Sequence, residues 1–177
     1  MNDCTAVLET AGVAQTQAVG ARLAPLLHAG DVLALIGDLG AGKTAFTQGL
    51  ASGLGIAAAV TSPTFVLMNS YRGPGGQILQ HVDCYRLGDA PLEMWDAGLA
   101  DLFDGDDIVV IKWADRITGL LPDEYLEITF AYLGPERRRL CFAAHGAHYS
   151  DVIAALDTDT QGTLSLPGRA RRAFQTT

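Results

Sequence analysis

The stretch "GDLGAGKT", Gly37 to Thr44, constrains this chain more than any other part of it. It fits G-x-x-x-x-G-K-[ST], the phosphate-binding loop pattern, without a mismatch. Each residue type has a physical reason. Gly37, Gly40 and Gly42 permit backbone conformations that a side chain would block. The loop's N–H groups, through Asp38, Leu39 and Ala41 as well, can then turn inward on phosphate oxygens. The N-terminus of the following helix adds partial positive charge. Lys43 is placed to reach β- and γ-phosphates, and the Thr44 hydroxyl to ligate magnesium. The pattern has force only between a strand and a helix. That context is met: "DVLALIG" reads as a buried strand, and "KTAFTQGLASGLG" has helical spacing and stops at glycines.

The rest of the chain builds an α/β domain around that unit. Apolar spacing in "TQAVGARLAPLL" predicts a helix over 14–27, and "HAGD" turns the chain. "TSPTFVLMNSY" is a loop entering a strand, with Pro63 fixing the loop. "RGPGGQ" is a hairpin turn and "QILQHVDCYRL" the next strand. Residues 91–103 look helical, with Pro91 in the first turn. "DIVVIKW" is a central strand by its unbroken apolar run, and "YLEITFAYL" pairs with "RRRLCFAAHG" across "GPER". The expected architecture is a P-loop NTPase-like three-layer α/β fold, a mixed sheet with helices on both faces. Residues 1–150 form a single nucleotide-binding domain. Residues 151–177 form a partly mobile C-terminal extension ending in a short basic tail.

Composition excludes several classes. The chain has 177 residues, 49% of them hydrophobic, which suits one domain with a sizeable core. No apolar run is long enough to span a membrane, and the N-terminus has no secretion signal, so the expected location is cytoplasmic. A net charge of −8 disfavours direct gripping of nucleic acid. Much of the acid lies between Asp83 and Asp107. It reads as a solvated face, or as a docking surface for a basic partner. Cys4, Cys84 and Cys141 lie far apart without CxxC spacing, so reduced, structural cysteines are expected. No N-K-x-D base-reading motif accompanies the two lysines, Lys43 and Lys112, so ATP is the expected nucleotide.

Two further segments narrow the loop's superfamily: "TSPTF", residues 61–65, and "HVDCYRL", residues 81–87. The order G-D-L-G-A-G-K-T, S-P-T-[FY], H-x-D-x-Y-R, apolar strand plus Trp, then "LP…EI" resembles the bacterial TsaE family over roughly residues 10–145. That family is the small ATPase of tRNA threonylcarbamoyladenosine biosynthesis. The resemblance implies ATP and Mg2+ as cofactors. It also implies protein subunits of the threonylcarbamoyl-transfer complex as partners, with tRNA met through that complex rather than directly. Within the site it implies that Gly37 to Thr44 hold the triphosphate, and that Ser62, Pro63 and Thr64 form a switch-like loop near the γ-phosphate. Asp83, with Thr44, would hold magnesium, directly or through water. His81, Tyr85 and Arg86 would shape the site, Trp113 would lie at the nucleotide's edge, and Arg137 would approach the nucleotide. The bland readings are a sheet histidine for His81, core aromatics for Tyr85 and Trp113, and a strand cap for Thr64.

One position departs from the pattern. Members of this family usually carry Glu immediately before the Trp, to help bind magnesium or position the attacking water. Here that residue is Lys112. An ammonium offers donors only and cannot ligate a metal. It could stand where the metal sits and pair with phosphate or Asp83, leaving nucleotide binding intact and hydrolysis impaired. Lys112 reads as a substitution in a background that had Glu. The alternative is a variant whose second acid has moved to Asp106, Asp107 or Asp115. Two other functions share the same loop: a small-molecule kinase, with Arg137, Arg138 and Arg139 as the dense candidates for a lid, and a nucleotide-dependent interaction protein without turnover.

Overall fold

An apolar run without alternation must be covered on both faces. Two such runs form the centre of the sheet: β2 (Val32–Gly37) and β5 (Ile108–Lys112) pair in parallel, Val32 opposite Val109 and Leu35 opposite Lys112. The computed structural model describes residues 4–63, 67–85, 98–158 and 164–165. Around the central pair stand β1 (Ala6–Ala11), β3 (Met68–Arg72), β4 (Ile78–Asp83), β6 (Tyr125–Tyr132), β7 (Arg137–His145) and the short β8 (Leu164–Ser165). The order is β3-β4-β5-β2-β6-β7-β1-β8. Strands β4, β5, β2 and β6 run parallel, and the remaining pairings are antiparallel. The expected mixed sheet and both expected hairpins are present.

Strand alternation divides the core in two. Leu33, Leu35, Val110, Ile128 and Phe142 face the larger core, covered by α1 (Val13–Leu23), α2 (Lys43–Gly53) and α4 (Ala147–Thr158). Val32, Ala34, Val109 and Ile111 face the smaller one, closed by the 3-10 segment Ala114–Leu120 and by side chains near α3 (Leu99–Phe103). Helix α1 buries Thr16, Val19, Gly20 and Leu23, the i, i+3, i+4, i+7 stripe of an amphipathic helix. It ends before the expected residue 27. Pro25 lacks the N–H that the next helical bond requires, and Ala24–Leu26 tighten into a 3-10 turn. Helices α1 and α2 pack backbone to backbone. A Cβ on Gly49 would stand 1.9 Å from the Gln17 carbonyl oxygen, and one on Gly20 2.2 Å from that of Phe46.

The structure bears on three further expectations. The boundary at residue 150 falls inside α4, whose Val152, Ile153 and Leu156 belong to the core, so the domain continues through this helix. Of the helix over 91–103, the described part is Leu99–Phe103; residues 91–97 lie outside the described residues. Cys4 and Cys141 are joined as a disulfide rather than held as separate thiols. The cause is strand pairing: Val7 lies opposite Cys141, Thr5 N–H donates to the Phe142 carbonyl at 2.7 Å, and the two Cα atoms end 5.5 Å apart. Cys84 is buried outside any disulfide, and burial pushes its thiol up to about 12.

Candidate nucleotide site

The phosphate loop joins the C-terminal end of β2 to the N-terminus of α2. Its glycines are required there. Gly37 (φ 138°) leaves no room for a side chain, since a Cβ would stand 2.5 Å from the Phe130 carbonyl oxygen. Gly42 (φ 110°) takes the left-handed conformation just before α2 begins. Lys43 folds over the loop: its Nζ donates to the carbonyls of Gly37 and Asp38, the latter at 2.9 Å. It also sits 3.8 Å above the centre of the Trp113 ring. Burial, then the nearby Lys112 charge, pulls Lys43 down to about 8. Trp113 reaches this place through a left-handed backbone (φ 60°), the one such non-glycine among the described residues. Tyr85 packs against the same ring, ring centres 4.9 Å apart.

Leu39 to Ala45, with Ser62, Asp83, Tyr85, Lys112 and Trp113, line a cavity of about 620 Å³, within the size range of small-molecule sites. Its polar floor is set by strand register. Asp83 and Lys112 are opposite one another in the parallel pair β4–β5, so both side chains leave the same face of the sheet. Lys112 Nζ donates to Asp83 Oδ2 at 2.8 Å and to Ser62 Oγ at 2.6 Å. The Ser62 hydroxyl in turn donates to Asp83 Oδ2 at 2.7 Å, and Tyr85 N–H reaches Oδ1 at 3.1 Å. Burial works to raise Asp83, but the hydrogen bonds from Lys112 and Ser62 outweigh it and hold the carboxyl below its usual range. Lys112 is 4% exposed, so this ion pair is shielded from solvent.

The site tests the magnesium that the family resemblance implies. Thr44 lines the cavity and could offer its hydroxyl. Asp83 is already engaged: its Oδ2 accepts from the Lys112 ammonium and the Ser62 hydroxyl, and its Oδ1 from the Tyr85 N–H. A dication on this carboxylate would stand beside a buried positive charge, which is strongly unfavourable at low dielectric. None of the alternative acids lines the cavity, though the Asp115 charge is felt at Lys43. Among the described residues Asp83 is the one carboxylate lining the cavity. Asp106 and Asp107 precede β5 at its far end, where Asp107 accepts from Gln80 at 2.7 Å, and Asp115 is exposed. The residues present do not fit a magnesium ion on Asp83.

The structure thus brings most of the expected residues together but leaves some apart. His81 does not line the cavity. It lies two residues before Asp83 on the same sheet face, fully buried, with neither ring nitrogen hydrogen-bonded. Burial first, then Lys112, lowers it to about 4, so it is neutral near pH 7. Arg137 is corrected: its guanidinium pairs with Glu9 on β1 at 2.6 Å, away from the cavity. Side chains alternate across a strand, so the next residue faces the loop instead. Arg138 donates to the Gly40 carbonyl at 3.3 Å and stacks on Tyr132. No motif marks Arg138; only the alternation of "RRR" within a placed strand could have found it. Arg116 is a second unanticipated contact, donating to the Tyr85 carbonyl at 2.6 Å. Thr64 and Arg86 lie outside the described residues.

Comparison with known proteins places this geometry in context. Residues 10–140 match the family model described as threonylcarbamoyl adenosine biosynthesis protein TsaE. The chain is 41% identical over 142 residues to the tRNA threonylcarbamoyladenosine biosynthesis protein TsaE of Bacillus subtilis (strain 168), covering 80% of this chain and 87% of that one. It is 42% identical over 133 residues to the protein of the same name from Streptomyces coelicolor, covering 66% of this chain and 89% of the other. It is also similar to the crystal structure of Bacillus subtilis YdiB, with a TM-score of 0.74 at 35% identity over 86% of this chain and 93% of that one.

Proposed function

The chain belongs to the TsaE family, and on that premise we propose that it is the ATP-binding subunit of the machinery that makes threonylcarbamoyladenosine in tRNA. The observation that carries the reading is the cavity over Gly40 to Thr44, with Lys43 held between the loop carbonyls and the Trp113 ring. The loop's N–H groups and Lys43 would take the triphosphate, and Trp113 with Tyr85 supplies an apolar wall at its edge. Protein subunits of the threonylcarbamoyl-transfer complex are the proposed partners, and tRNA is reached through them. The proposed location is the cytoplasm. Among the described residues, no helix is long and apolar enough to cross a membrane.

ATP hydrolysis with magnesium is the activity the family premise suggests, and Lys112 works against it here. The transferring phosphoryl group needs its charge stabilised and its water oriented. Asp83, the one lining carboxylate among the described residues, is engaged by Lys112 and Ser62 and is not poised for either task. Nucleotide-dependent interaction without turnover is therefore a second reading with a specific observation behind it. The kinase reading has none: Arg137 and Arg139 pair with Glu9, and Arg138 with the loop.

The test is made in a bacterial strain depleted of its own TsaE, by measuring threonylcarbamoyladenosine in digested tRNA. The Lys112→Glu form is expected to restore the nucleoside and the unmodified chain to restore less. If neither restores it while the Bacillus subtilis relative does, the assignment to this machinery is wrong.

A further inference from the structure

We propose that this chain binds its nucleoside triphosphate without a divalent metal, with the Lys112 ammonium as the built-in counter-cation. The inference rests on the cavity being a triphosphate site and goes beyond it in naming the form of the ligand. The charges lining the cavity set what it can receive. Among the described residues these are two ammonium groups, Lys43 and Lys112, and one carboxylate, Asp83. A magnesium–triphosphate complex needs anionic or neutral oxygen ligands from the protein. The one anionic candidate accepts from Lys112, Ser62 and the Tyr85 N–H. An uncomplexed triphosphate has the opposite requirement: it brings more negative charge and needs cations to receive it.

Lys112 is prepared for that task. Asp83 and Ser62 hold its side chain in one place, so little freedom remains to be lost on binding. Those contacts use two of the three N–H groups of an ammonium. The position is set by the pairing of β5 with β4 and cannot swing out to solvent, since Lys112 is 4% exposed. The two lysines also act on each other across the cavity. Lys112 is the second cause, after burial, of the lowered Lys43 pKa. An anion between them relieves that repulsion, whereas a bound dication would add a third positive centre. Magnesium then competes with the protein for the nucleotide instead of bridging the two.

The experiment is calorimetric titration of the unmodified chain with a non-hydrolysable ATP analogue, once in excess magnesium and once in chelator. The expected result is binding in chelator that is at least as tight as in magnesium. Binding tightened about tenfold or more by magnesium overturns the proposal. Absence of binding in both conditions overturns the triphosphate reading on which it rests. Lys112→Met, with its fold checked by circular dichroism, is expected to lose about tenfold in affinity for the analogue in chelator. Full affinity in that variant would show that Lys112 is not the counter-cation. Lys112→Glu is expected to bind only when magnesium is present, and binding in chelator would overturn the proposal.

Discussion

Lys43 carries the site's pH dependence. Its folded-state pKa is depressed from 10.5 to about 8. Between those values the unfolded chain holds more protons than the folded one, so this group's contribution to stability rises as pH climbs from about 8 to 10.5. A bound triphosphate favours the ammonium and returns the pKa upward. Binding measured above pH 8 should therefore take up a proton, and affinity should fall as pH rises through that range. Titration calorimetry in buffers of different ionisation heat checks this, and a heat independent of buffer would contradict it. The identity of the loop residues was legible because backbone–phosphate chemistry demands those types at that spacing. The Lys112–Asp83 contact was foreseen only as one option. The residues lie 29 apart, and their meeting depends on parallel register. Arg137 shows the same limit from the other side. One residue of strand parity separates a surface ion pair with Glu9 from a contact with the phosphate loop.

At the scale of elements, the loop is aimed by two packed helices. Gly20 and Gly49 let α1 and α2 approach until backbone meets backbone, and Phe46 of α2, edge-on to Phe130 of β6, is fully buried, a side chain whose burial contributes roughly 1.5–3 kcal/mol. Gly49→Ala drives a methyl group into the Gln17 carbonyl and should cost about 3 kcal/mol, read as a lowered urea midpoint at unchanged slope. A midpoint within error of the parent would mean that the helices separate easily. Element types were readable where periodicity was strong: unbroken apolar runs for β2 and β5, a helical stripe for α1. Strand β1, helix α4 and the two-residue β8 were not assigned. Strand β1 alternates buried and open positions over only six residues, too few to stand out before a partner is known. Helix α4 buries Tyr149, Val152, Ile153 and Leu156, but its first turn, "AHYS", lacks a strong start signal.

Over the whole molecule, the sheet brings together residues that nothing local connects. Asp31 immediately precedes β2, accepts from the His28 N–H at 2.8 Å and lies 2.9 Å from the His148 ring of α4, tying this helix to the central strand. Cys4 and Cys141 close a span of 137 residues. Such a link restricts the unfolded chain, so Cys4→Ser should lower stability by about 2–4 kcal/mol without reductant. Reductant should bring the parent to the same value and leave the variant unchanged. A parent insensitive to reductant would show that the bond does not form in solution. By itself the sequence determined the phosphate loop, the class of the sheet and the family, because these rest on local chemistry and on periodicities that survive without neighbours. Only the tertiary structure decided that Lys112 pairs with Asp83, that Arg138 rather than Arg137 meets the loop, that His81 lies beneath the site and that two distant cysteines meet. Each of these depends on strand register and parity, which are set by the packing of the entire sheet and are not encoded at any single position.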